Sequence, residues 1–197
     1  IVHTVIESDR RYKYEEVQEL LEANGVIDGT GEPAPAETKE HPYQGENALQ
    51  LITLDRLAKK LRAARFKNGA VKFDREELHF DIDEKGKPVT CYYKRSKDAN
   101  KLVEEFMLLA NRTVAESIGK VKKGKKPKTL PYRIHDNPDP QKLETLREFV
   151  VKFGYKMKTE GTKGATARSL NNLMSDCEGK PENNLIQMVA LRAMMKA

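Results

Sequence analysis

Apolar residues recur along this chain in stretches of three- and four-residue spacing, separated by short alternating runs and by polar segments. Residues 1–6, IVHTVI, read as an opening strand. Residues 14–24 predict a helix with Val17, Leu20 and Leu21 inward, closed by Gly25. A long helix is predicted over 46–66, with Leu49, Ile52, Leu57 and Leu61 as its buried side. Three alternating segments follow, at 70–73, 78–82 and 89–93; a turn at 84–87 containing Gly86 makes the last two an antiparallel hairpin. Then come a helix over 100–118, a strand at 132–134 and a helix over 141–153. That helix is opened by Asp139 before Pro140 and ended by Gly154. Helices over 165–176 and 183–196 finish the chain. The fold class is α+β: helix-rich, with a small, mainly antiparallel sheet packed against helices. Residues 28–44, rich in Gly, Pro and Glu, read as a flexible surface loop, and 119–128 as a basic loop.

The helix over 100–118 holds the most informative pattern. At about 100° per residue, Glu105, Arg112 and Glu116 share one polar strip, the solvated side. Glu104 and Asn111 share a second strip, bounded by Met107 and Ile118 on one side and Leu108 and Ala115 on the other. Glu104 is therefore expected to lean toward packed surface, where an unpaired carboxylate is costly. Two readings follow: a structural acid satisfied by a neighbouring Arg, Lys or backbone N–H, or an acid with a function.

Charge adds a partner class. With 36 Lys and Arg against 30 Asp and Glu, the net charge is +6 and the pI about 9.2, which suits a polyanion. Lys59, Lys60, Arg62, Arg65 and Lys67 crowd the end of one helix. The loop after Ile118 holds Lys120, Lys122, Lys123, Lys125, Lys126 and Lys128. A lysine run of this kind is foremost a solvated loop; it could attract a nucleic acid at long range through its charge but would read no sequence. No apolar run approaches the roughly 20 residues needed to span a bilayer, and no signal-peptide pattern is present. Cys91 and Cys177 lack metal-ligand spacing and read as reduced thiols, so a cytoplasmic protein with no membrane partner is expected. Phosphate loops, nucleophile elbows and zinc spacings are missing from the sequence.

Motifs narrow the class further. LVEEFMLLAN at 102–111 paired with PYRIHDNP at 131–138 resembles the ribonuclease II and ribonuclease R family, processive 3′→5′ exoribonucleases. IESDRRYKYEEV at 6–17, RFKNGAVKF at 65–73 and LRAMMKA at 191–197 are similar to further family segments in the same order, most like those of ribonuclease R. The resemblance implies an RNA channel. Phe73 would stack on terminal bases, and Tyr14 and Glu104 would lie near the terminal nucleotides. Arg133 and His135, alternate residues of one strand, would support the channel wall. Each has a structural reading as well, which for Arg133 is a guanidinium paired with a buried acid. Phe73 shares a strand face with Val71 and reads as core; Tyr14 reads as a helix-start aromatic packing on Leu20 or Ile6, with Tyr12 as its rival; His135 reads as a hydrogen-bonded structural histidine.

The resemblance also implies what these residues lack. The family holds two magnesium ions with closely spaced aspartates, expected ahead of the matched region. Here Asp81 and Asp83 read as strand-end and turn residues, and Asp136 and Asp139 flank Pro138. No catalytic residue and no specific metal ion is therefore expected within 1–197. An arginine-bearing family motif is expected past Ala197. The chain starts at Ile1 without Met and stops inside a helical pattern, so an internal fragment of a catalytic domain is expected, inactive alone. The implied partner is single-stranded RNA rather than DNA, with flanking OB-fold RNA-binding domains in the parent protein. The alternatives are a non-catalytic RNA-binding module on the same scaffold, or a scaffold for protein partners without salt-sensitive RNA binding.

Overall fold

In the computed structural model the described residues are 3–73, 77–121, 124–126, 128–134, 137–159 and 163–194. Helices α1 (Tyr14–Ala23) and α2 (Ala48–Lys67) precede strands β1 (Glu77–Ile82) and β2 (Pro88–Lys94). Helices α3 (Asp98–Val114), α4 (Pro140–Val151), α5 (Lys163–Cys177) and α6 (Asn183–Ala193) follow. This is the helix-rich α+β class, with one small antiparallel sheet among the described residues. The chain forms two compact units: Ile1–Leu61 with Ser96–Leu109, and Arg62–Arg95 with Ala110–Ala197.

The first unit packs Leu21, Val26, Ala34, Ala48 and Ile52 together, with Val17, Leu20 and Tyr43 against them. Each fully buried Leu or Ile contributes about 1.5–3 kcal/mol by leaving water. Segment 28–44 is irregular and mostly exposed, yet it is tied down. Ala34 is buried, and Arg56 Nη2 donates to the carbonyls of Ala34 and Pro35 at 3.0 and 2.8 Å and to the Tyr43 hydroxyl at 2.6 Å. The inward side of α2 is Ala48, Ile52, Asp55 and Ala58. Leu49 and Leu57, expected inside, are exposed, and Leu61 is half-buried. Ile52 is buried as expected, but the rest of the packed stripe is small or charged, so the pattern was right at Ile52 and wrong at Leu49 and Leu57.

On α3 the two strips exchange roles. Its inward stripe is Asp98, Ala99, Leu102 and Glu105. Glu105, expected on the solvated strip, is only 2% exposed, whereas Glu104 is exposed together with Met107 and Leu108. The cause lies in the first turn of α3. Asp98 N–H donates to Asp28 Oδ1 and Ala99 N–H to Gln18 Oε1, both at 3.0 Å. These bonds satisfy two of the helix's orphan donors and fix which side faces the core.

In the second unit α4, α5 and α6 bury Leu143, Leu146, Val150, Leu170, Leu173, Ile186 and Ala190. Asp139 caps α4, accepting from Gln141 N–H at 2.9 Å, with Pro140 at the first helical position. β1 and β2 pair antiparallel from Glu77 opposite Lys94 to Ile82 opposite Pro88, with an irregularity at Asp81/Ile82. Gly86 turns the hairpin at φ 78, and Asp83 Oδ1 accepts from Lys85 and Lys87 N–H at 2.9 and 2.8 Å. The other expected strands are absent: residues 3–6, 70–73 and 132–134 have no ladder partner among the described residues, and residues 1 and 2 of the opening run lie outside them. Extended backbone without a neighbouring strand is not a sheet. For 70–73 one side chain takes the neighbour's place: Asn171 Oδ1 accepts from Lys72 N–H at 2.9 Å, and its Nδ2 donates to Ala70 O at 2.8 Å.

Candidate nucleic-acid interface

Of the two tyrosines at the start of α1, Tyr12 is engaged. Its hydroxyl donates to Glu46 O at 3.1 Å and accepts from Asn47 Nδ2 at 2.9 Å. Its ring lies 4.4 Å below the Arg10 guanidinium, which is itself paired with Glu46. Tyr14 opens α1 with its side chain 46% exposed, presenting a ring that a base can stack on. The Glu16 carboxylate accepts from Lys13 N–H at 2.8 Å and so helps fix the helix start beneath that ring.

Glu104 stands on the outer face of α3, flanked by exposed apolar side chains at Val103, Met107 and Leu108. The inner face is charged. Lys59 Nζ sits 2.8 Å from Asp55 Oδ2 and 3.3 Å from Asp98 Oδ2, neither contact being a well-directed hydrogen bond, and donates to Glu32 O at 2.7 Å. Burial pushes the Asp55 carboxyl above its ordinary range, with Lys59 opposing the shift. This cluster has no motif in the sequence; the one available signal was an Asp and a Lys four residues apart on α2.

In the second unit Phe73 is half-buried and packs, with Val71, against the α4–α6 core. Its core reading is realised in this structure, and the exposed part of its ring is what remains for a ligand. Arg133 is exposed in irregular backbone rather than on a strand. His135, Asp136, Lys122 and Lys123 lie outside the described residues. A cleft of about 420 Å³ that sequence reasoning did not single out is lined by Lys72, Arg95, Glu178, Lys180, Asn183 and Gln187 among others. Beside it, the Tyr155 hydroxyl donates to Glu182 Oε1 at 2.6 Å, which holds the Glu182 carboxyl below its usual range and the phenol above its own.

Magnesium needs several convergent oxygens. Among the described residues, no group of three or more His, Cys, Asp or Glu side chains is placed to hold a metal ion. Asp81 Oδ2 accepts from Thr90 Oγ1 at 2.8 Å, Asp83 serves the hairpin turn, and Asp139 caps α4. Asp55 and Asp98 already share the Lys59 ammonium. No helix among the described residues is long and apolar enough to cross a membrane.

These elements and motifs define a family. The RNB domain matches residues 1–197, and the chain belongs to that family. Within it, the chain is 32% identical over 200 residues to ribonuclease R of Aquifex aeolicus strain VF5, covering 100% of this chain and 25% of that protein. Ribonuclease R of Thermotoga maritima is 30% identical over 200 residues, covering 98% of this chain and 24% of that protein. DIS3-like exonuclease 2 of Schizosaccharomyces pombe is 42% identical over 117 residues, covering 59% of this chain and 12% of that protein. Among solved structures, Mycoplasma genitalium RNase R in complex with ribose methylated single-stranded RNA superposes with a TM-score of 0.65 at 22% identity, covering 93% of this chain and 26% of that one. The chain thus spans about a quarter of the length of the ribonuclease R proteins it matches.

Proposed function

We propose that this chain is part of a processive 3′→5′ exoribonuclease of the ribonuclease R type. It lines the channel that takes single-stranded RNA and orients the 3′ end for hydrolysis. The observation that carries this reading is the RNB match across residues 1–197, together with similarity to ribonuclease R over the same length. The M. genitalium enzyme solved with ribose methylated single-stranded RNA supports the same ligand class. In this reading Tyr14 and the exposed part of Phe73 stack on bases, each contact contributing about 1–3 kcal/mol without regard to sequence. Glu104 accepts from a ribose hydroxyl, the group that separates RNA from DNA. Arg133 and His135 support the channel wall. The parent protein works in the cytoplasm and carries OB-fold RNA-binding domains, and two magnesium ions are held by carboxylates outside these 197 residues.

The test has two parts. The chain alone, given RNA and magnesium, is expected to release no nucleotides; metal-dependent release would overturn the reading. In the parent enzyme, Glu104→Ala is expected to blunt the preference for RNA over DNA oligomers. If discrimination is unchanged, Glu104 does not read the ribose.

A further inference from the structure

Helix α1 turns a polar side chain into the core. Its buried residues are Gln18 and Leu21, and Gln18 is only 3% exposed. Both ends of the Gln18 amide are used. Oε1 accepts from the Ala99 N–H in the first turn of α3 at 3.0 Å, and Nε2 donates to Glu22 Oε1 at 2.8 Å. One partner can only donate and the other, a carboxylate, can only accept. The amide therefore has one orientation here, and neither Glu nor Leu replaces it. Glu22 extends the grip. Lys97, the residue before α3, places Nζ 3.5 Å from Glu22 Oε1, and the Gln18 bond holds the Glu22 carboxyl below its ordinary range.

The start of α3 is thus held from outside the helix. Gln18 takes the Ala99 N–H, Asp28 takes the Asp98 N–H, and Lys59 Nζ lies 3.3 Å from the Asp98 carboxylate. Bonds to first-turn N–H groups fix a helix along and about its axis, because a slip of one residue turns every side chain by about 100°. Glu104 and Glu105 differ by that one step, and Glu104 lies little more than one turn past Ala99. Tyr14 lies one turn before Gln18 on α1. Gln18 therefore links the two helices whose side chains the channel reading sets near the same end of the RNA.

We propose that Gln18 is a positioning residue for ribose recognition: its amide locks α1 to the first turn of α3 and so sets Glu104 against Tyr14 at the RNA 3′ end. It acts through Ala99 from within the core, without touching RNA. The proposal rests on the reading of Glu104 and Tyr14 given above.

The quantity to measure is the parent enzyme's kcat/KM on an RNA oligomer divided by that on the same oligomer with 2′-deoxy sugars, beside the melting temperature. Gln18→Leu is expected to lower this ratio about tenfold, and to lower it no further in a Glu104→Ala background. Gln18→Glu sets a second carboxylate against Glu22 and is expected to lower the ratio as well. Adding Glu22→Gln restores a donor beside an acceptor and is expected to bring the ratio back toward wild type. If Gln18→Leu does not fold, Gln18→Asn, which keeps the amide but falls one methylene short, reads the same ratio. A variant that moves the melting temperature and leaves the ratio unchanged makes Gln18 purely structural and overturns the proposal. So does a loss that multiplies in full with that of Glu104→Ala, or a Gln18→Glu/Glu22→Gln pair no better than Gln18→Glu alone. Failure of the ribose reading looks different: Glu104→Ala then leaves the ratio at its wild-type value, whatever Gln18 does.

Discussion

Glu104 and Glu105 are neighbours with opposite surroundings, and the difference is about 100° of helix rotation. The helical wheel assigned the strips correctly: Glu104 does stand between Met107 and Leu108. It could not tell which strip packs, because that is decided by Gln18 and Asp28, which lie 81 and 70 residues before the N–H groups they accept from. At the same scale, Tyr155 and Glu182 make a bond that titration can read. The Glu182 carboxyl titrates below its unfolded value of about 4.3, chiefly because of the Tyr155 hydroxyl. Its contribution to stability is present above that unfolded value and is lost as pH falls through the depressed folded one. Tyr155→Phe is expected to return the Glu182 titration toward the ordinary range in a carboxyl NMR experiment; an unmoved midpoint would assign the shift elsewhere. Gly119 offers a steric test. A methyl group there would overlap the hydroxyl of Tyr132, with Leu130 only 2.9 Å away. Because Tyr132 is exposed, Gly119→Ala should swing its ring aside with little change in melting temperature; a marked drop would show that the ring is held in place.

Among the elements, those closed by local chemistry were readable. The β1–β2 hairpin needs only alternation, Gly86 and the Asp83 turn, and α4 needs only Asp139 and Pro140. Elements defined by distant neighbours were not, since 70–73 and 132–134, expected as strands, pair with no strand among the described residues. The helix pair α2–α3 falls in the second group, since Lys59 joins Asp55 of its own helix to Asp98 of the other. Removing one partner of a buried charge cluster strands the rest, so Lys59→Met is expected to cost about 3–5 kcal/mol in urea unfolding at neutral pH. The sign with pH follows from Asp55, whose folded carboxyl sits above its unfolded range through burial. Its share of stability is whole below the unfolded value, about 3.9, and declines as pH rises through the raised one. The Lys59→Met deficit should therefore shrink in acid; a deficit independent of pH would mean that lost packing, not charge, is responsible.

For the whole molecule, the sequence conveyed class and family because both are spread over its full length, in periodicity and in ordered motifs. It did not convey the cleft at Gln187, whose walls come from residues 72, 95 and 174–187 brought together only by folding. Charge also acts at this scale. With a net +6, the binding to single-stranded RNA proposed above should weaken steeply with salt, log K falling by about 0.7 per phosphate contact for each unit of log salt concentration. Affinity flat between low and physiological salt would exclude a backbone-tracking surface. The carboxamide of Asn171 has a consequence in time. It bonds Ala70 and Lys72 from 101 and 99 positions further on, and a ribosome adding roughly 5–20 residues per second needs about 5–20 s to deliver it. Through that interval the nascent segment bearing Phe73 is tied only at its start, by the Ala70 N–H to the Arg65 carbonyl, and it is then that a holdase would find its apolar side chains within reach.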